Sequence, residues 1–130
     1  MFEKELFNYV NANFSIENFD TKIYFGEAPQ STKNPYIVMF SLDIDGTKQV
    51  LCNDNDYTDG ESYIQFNIYG LNVSNILYIK QQLDTFLAEL NALPGYQVVL
   101  NTHEGARGGF TDSTGLKIET LTRTFTYTKR

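Results

Sequence analysis

Cysteine occurs once in these 130 residues, histidine once, tryptophan not at all and proline three times. The lone thiol, Cys52, cannot close an internal disulfide, which fits a reducing compartment. No apolar run approaches the roughly 20 residues of a membrane span, and Met1–Val10 has no signal-peptide pattern. The chain is therefore expected in the cytosol, with no membrane partner. Basic residues are also scarce: 10 Lys and Arg stand against 16 Asp and Glu, a net charge of −6. A field of that sign excludes general, backbone-driven affinity for nucleic acid. The charge is uneven, because the residues before 101 carry −8 and those from Asn101 onward +2.

What is abundant is the aromatic ring, with nine Tyr and ten Phe. Length predicts one domain over residues 1–130, large enough to bury roughly two-thirds of its unfolded surface without staples. Phe2, Leu6, Tyr9 and Val10 recur at helical spacing and predict an opening amphipathic helix over 2–12. Lys22–Phe25 reads as a short strand. Tyr36–Leu42 (YIVMFSL) is apolar on both faces, with Tyr36, Val38, Phe40 and Leu42 on one and Ile37 and Met39 on the other, as a strand covered on both sides would be.

Asp43–Glu61 is an acidic excursion with one weak strand candidate, Gln49–Cys52. Glu61–Gly70 (ESYIQFNIYG) alternates cleanly, Ile64, Phe66 and Ile68 on one face and Tyr63, Gln65, Asn67 and Tyr69 on the other. Asn72 or Ser74 can cap a second helix, in which Ile76, Ile79, Leu83, Phe86 and Leu90 repeat at spacings of three and four before Leu93-Pro94-Gly95 ends it. Tyr96–Leu100 reads as a strand, Asn101–Gly115 as a glycine-rich loop and Leu116–Thr128 as a long closing strand. Its apolar parity switches between Ile118 and Leu121, which predicts a bulge near Glu119–Thr120. The order gives an α+β fold: a largely antiparallel mixed sheet, two helices packed on one face and long loops at the sheet ends.

Chemistry finds little support. The stretch DNDYTDG places oxygen donors close together, but the glycine is misplaced for a calcium loop and Gln65 stands where a bidentate Glu is needed. His103 shares its loop with Glu104 and Arg107 but has no nucleophile elbow, phosphate loop or metal-spaced partners. Cys52, beside Val50 and Leu51, reads as a small packed hydrophobe. Arg107-Gly108-Gly109 looks like a single unit of an RNA-binding tract that normally repeats. No catalytic, cofactor or metal residue is assigned, and the chain is not expected to be an enzyme.

The second face of Glu61–Gly70 is too aromatic for plain solvent and too polar for a core. Two helices can cover one sheet face only, so Tyr63 and Tyr69, with Ile37 or Met39, are expected to form an amphipathic patch that meets another protein. The segments IYFGEAPQ, NPYIVMFSLD and YIQFNIYG, the last running straight into a long amphipathic helix, resemble the tail-terminator (tail-completion) proteins of long-tailed phages. The resemblance covers most of the chain and rests on element order and on Pro35-Tyr36-Ile37-Val38 and Gln65–Gly70.

It implies a structural virion protein at the tail–head junction, assembled in the host cytoplasm. Such a protein forms a ring, a hexamer in that family, which caps the tail tube, stops tube polymerisation and offers a surface to the head connector. The implied partners are further copies of the chain, the tail tube protein and the neck protein, with no sequence-specific nucleic acid. On this reading Ile37, Met39, Tyr63, Tyr69, Arg107 and Arg123 belong to the interface, and Asp54, Asp56 and Asp59 to a partner-facing loop. Another neck or minor tail component, such as a head–tail joining protein, is the nearest alternative. A small metal-dependent enzyme using the acidic loop is the more distant one.

Overall fold

A computed structural model describes residues 2–16, 22–26, 35–42, 59–112 and 115–129. Helix α1 (Phe2–Asn13) and strands β1 (Lys22–Phe25) and β2 (Tyr36–Leu42) lead to β3 (Asp59–Gly70), and helix α2 (Val73–Ala88) follows. Strands β4 (Ala92–Leu93), β5 (Tyr96–Thr111) and β6 (Lys117–Lys129) complete the chain. The fold is α+β. One six-stranded mixed sheet runs β1-β2-β3-β6-β5-β4, with β1–β2 parallel and every other pair antiparallel. Helix α1 touches both β1 and β4, strands at opposite edges, so the sheet curls around its helices.

The core lies inside that curl. Ile64, Phe66 and Ile68 of β3 are fully buried, as their alternation predicts, together with Ile76, Ile79, Leu83 and Leu87 of α2 and Leu6 and Val10 of α1. Asn72 caps α2, its side chain accepting from the Asn75 amide at 3.2 Å. Phe86 is only partly buried, against Tyr9 and Phe14 with ring centroids 5.6 and 5.4 Å away. Gly70 and Gly60 permit close approaches in the core. A Cβ at Gly70 would stand 2.6 Å from Ile76 of α2, and one at Gly60 would stand 2.6 Å from the Tyr127 ring. Tyr127 in turn stacks on Phe2 with centroids 4.1 Å apart, which anchors the start of α1. Gly60→Ala is thus expected to displace Tyr127 and cost about 1–3 kcal/mol by denaturant unfolding. Wild-type stability in that variant would mean the ring moves aside freely.

Three sequence expectations change here. The glycine-rich segment after Leu100 is strand: β5 continues to Thr111, with register shifts between Val98/Leu100, His103/Gly105 and Arg107/Phe110. A ladder uses backbone groups only, and this strand is exposed on much of its surface, so no apolar alternation announces it. The bulge expected near Glu119–Thr120 does not form in β6, which pairs with β3 without a break from Gly70↔Lys117 to Asp59↔Thr128. The irregularities sit in β5 instead. The parity switch in β6 arises because Glu119 and Arg123 are themselves buried, 5% and 4% exposed, on the same face as Leu121 and Phe125. Finally, β3 begins two residues early, so the Asp59 backbone belongs to the sheet. The strand candidate Gln49–Cys52, and Cys52 with it, lies outside the described residues.

Candidate assembly surface

Pairing register decides which side chains share the outer face of the sheet, the side away from both helices. Tyr36 pairs with Tyr69, Val38 with Asn67 and Phe40 with Gln65, so the β2 residues beside the tyrosines are Tyr36, Val38 and Phe40. Ile37 and Met39 pair with Ile68 and Phe66 and are fully buried under the helices. Their expected place in the interface is therefore overturned. A strand apolar on both sides carries no parity signal of its own, and only the register with β3 assigns its faces.

The tyrosines form a row across three strands. Tyr36 and Tyr69 stack with centroids 4.7 Å apart, and Tyr24 of β1 meets Tyr36 edge-on at 6.2 Å. Burial raises the Tyr36 pKa above its ordinary value, and Tyr69, Asp112 and Tyr24 push it further the same way, so the phenol stays neutral at physiological pH. The amides tie the face together: Gln65 Nε2 donates to Asn67 Oδ1 at 2.8 Å, and Thr120 Oγ1 donates to the same oxygen at 3.3 Å. Asn67 Nδ2 reaches the Tyr69 hydroxyl at 3.5 Å.

The register adds a threonine ladder that the sequence reading missed. Thr120, Thr122 and Thr124 of β6 pair with Asn67, Gln65 and Tyr63. Its signal was available in the alternate threonines of TLTRTFTYT. Short threonines between taller neighbours leave an open groove of about 550 Å³, floored by Thr120, Thr122 and Gln65 and walled by Tyr63 on one side and Glu104, Arg107 and Phe110 on the other. Arg107 is exposed there and makes no ion pair among the described residues.

Arg123 does not belong to this surface. It lies on the helix side, where Nη1 meets Asp84 Oδ1 at 2.6 Å and Nε donates to Asn101 Oδ1 at 2.8 Å. Asn101 also donates its amide N–H to the Leu87 and Leu90 carbonyls at 2.5 and 3.2 Å, satisfying the C-terminal end of α2. Four residues along each element, Lys80 meets Glu119 at 2.6 Å. Two crossed pairs of opposite sign thus clamp α2 to β6. The place in the interface expected for Arg123 is overturned, because its charge is buried and satisfied within its own chain.

The glycines of β5 belong to the same clamp. The Gly109 amide donates to Glu119 Oε2 at 3.0 Å from a positive φ of 81°, and a Cβ at Gly108 would stand 2.1 Å from that carboxylate. Gly108-Gly109 therefore wraps a buried carboxylate. His103 faces Asp84 at 3.3 Å, at the exposed margin of this network.

Asp54 and Asp56 lie outside the described residues, as does the side chain of Asp59. Among the described residues no group of three or more His, Cys, Asp or Glu side chains could hold a metal ion, and no helix is long and apolar enough to cross a membrane. No family model matches this chain, and no curated protein matches it.

Proposed function

We propose that the chain is a structural subunit of the tail-terminator type, a ring former that caps a phage tail tube and presents a joining surface to the head. One observation carries the reading. The outer face of the sheet bears a stacked tyrosine row, an amide ladder and the half-buried Phe40, and among the described residues neither helix packs over it. Tyrosine suits a surface that is wet before assembly and dry after it, since its ring is apolar and its hydroxyl needs a partner. In a ring the covering surface is a different patch on the next copy. The chain carries no assigned catalytic group, and its partners in this role are further copies of itself, the tube protein and the neck protein.

Tyr69→Asp tests the reading. The variant is expected to keep its circular-dichroism spectrum and its melting temperature within a few degrees, and to lose assembly by analytical ultracentrifugation. Tyr63→Asp should act in the same direction. Unfolding by either change would make these rings part of the monomer's own core and refute the proposal.

A further inference from the structure

Among the described residues, the outer edge of β5 is open beyond Val98. Strand β4 covers only Tyr96 and Gln97, and the Val98 amide donates to the Asn91 carbonyl at 3.0 Å. From Val99 to Thr111, among the described residues, no strand pairs with that edge. An unpaired edge of this length, with no lysine or proline along it, is a template for another strand.

The placement of side chains selects the occupant. Pairing with β6 puts Leu100, Thr102, Gly105, Arg107 and Phe110 opposite Thr126, Thr124, Thr122, Thr120 and Ile118, at every second β6 position and so on one face. Gly105 stands in the middle. Leu100 and Phe110, 59% and 48% exposed, lie at equal distances on either side of it, both in sequence and in register. An antiparallel strand pair related by a two-fold axis needs one residue that faces its own copy. With that axis at Gly105, Leu100 of each chain falls opposite Phe110 of the other, and both exposed apolar pairs are covered at once.

Glu104 and Arg107 are the only Asp, Glu, Lys or Arg residues between Val99 and Thr111, and neither has an ion pair among the described residues. The same axis sets each Glu104, the extra residue at the His103/Gly105 register shift, between its own twin and Arg107 of the second copy.

We propose that two copies of this chain pair through β5, antiparallel about a two-fold axis at Gly105, so that their sheets join into one. This pairing does not rest on the ring reading, because the edge of β5 lies apart from the tyrosine row on β1, β2 and β3.

Disulfide trapping tests it. A Cβ at Gly105 meets nothing within 4 Å, so Gly105→Cys fits the monomer. In a Cys52→Ser background, mild oxidation of Gly105→Cys is expected to convert most of the chain to a covalent dimer on a non-reducing gel. Arg107→Cys in the same background should stay monomeric, because its twin lies four strand positions away, roughly 13 Å and beyond disulfide reach. Leu100→Lys and Phe110→Lys are each expected to weaken the dimer about tenfold or more by sedimentation, with an unchanged circular-dichroism spectrum. Trapping of Gly105→Cys no faster than that of Arg107→Cys would overturn the proposal. A six-copy assembly without the Gly105 crosslink would overturn it while leaving the ring reading intact. A two-copy assembly with the crosslink would uphold it and count against the ring.

Discussion

Replacing Arg123 with glutamate is expected to destabilise the isolated subunit by about 3 kcal/mol or more, whatever its effect on assembly. The guanidinium is 5% exposed and satisfies Asp84 and the Asn101 side chain together. Reversal sets two carboxylates against each other at the edge of the core and removes the donor that holds Asn101 over the end of α2. Asp84 is 37% exposed, so water offsets part of the repulsion and the loss falls at the lower end for a broken buried pair. Thermal and denaturant melts of the subunit check this. A stable Arg123→Glu subunit with disturbed assembly would return the residue to an interface.

Phe66→Ala should cost about 3–5 kcal/mol, because the ring is fully buried at the centre of the sheet between Met39 and Leu121. Phe86→Ala should cost roughly half as much, since that side chain is only partly buried and its neighbours Tyr9 and Phe14 can close over the gap. The contrast is the useful part. Helical spacing puts Phe86 on the α2 stripe, yet the deeper position at the end of that stripe belongs to Leu87. Denaturant unfolding of both variants decides it, and equal losses would contradict the packing described for α2.

Elements with a one-sided apolar pattern were legible before any coordinates. Ile64, Phe66 and Ile68 announce β3, and Ile76, Ile79 and Leu83 announce α2, because burial on one face imposes the period directly. Three features defeated that logic for separate physical reasons. The far half of β5 is held by backbone hydrogen bonds to β6 while its side chains face solvent, so nothing apolar marks it. Glu119 and Arg123 are buried because Lys80, Asp84, Asn101 and Gly109 satisfy them, and a reading that equates charge with exposure then sees a false parity switch. Ile37 and Met39 belong to a strand apolar on both sides, whose faces are assigned only by long-range pairing with β3. The candidate surface was legible through Tyr63 and Tyr69, whereas Tyr24, Tyr36 and the threonine ladder join it only once strands are placed side by side.

On the proposed reading, the tyrosine-bearing face is covered by another copy of the chain in a closed ring. Native mass spectrometry of the wild-type protein across a range of concentrations tests it most directly. A closed species of six copies of the 14.9 kDa chain is expected, lost in Tyr69→Asp. A wild-type protein that stays at 14.9 kDa at every concentration, or a six-copy species indifferent to Tyr69→Asp, would contradict it.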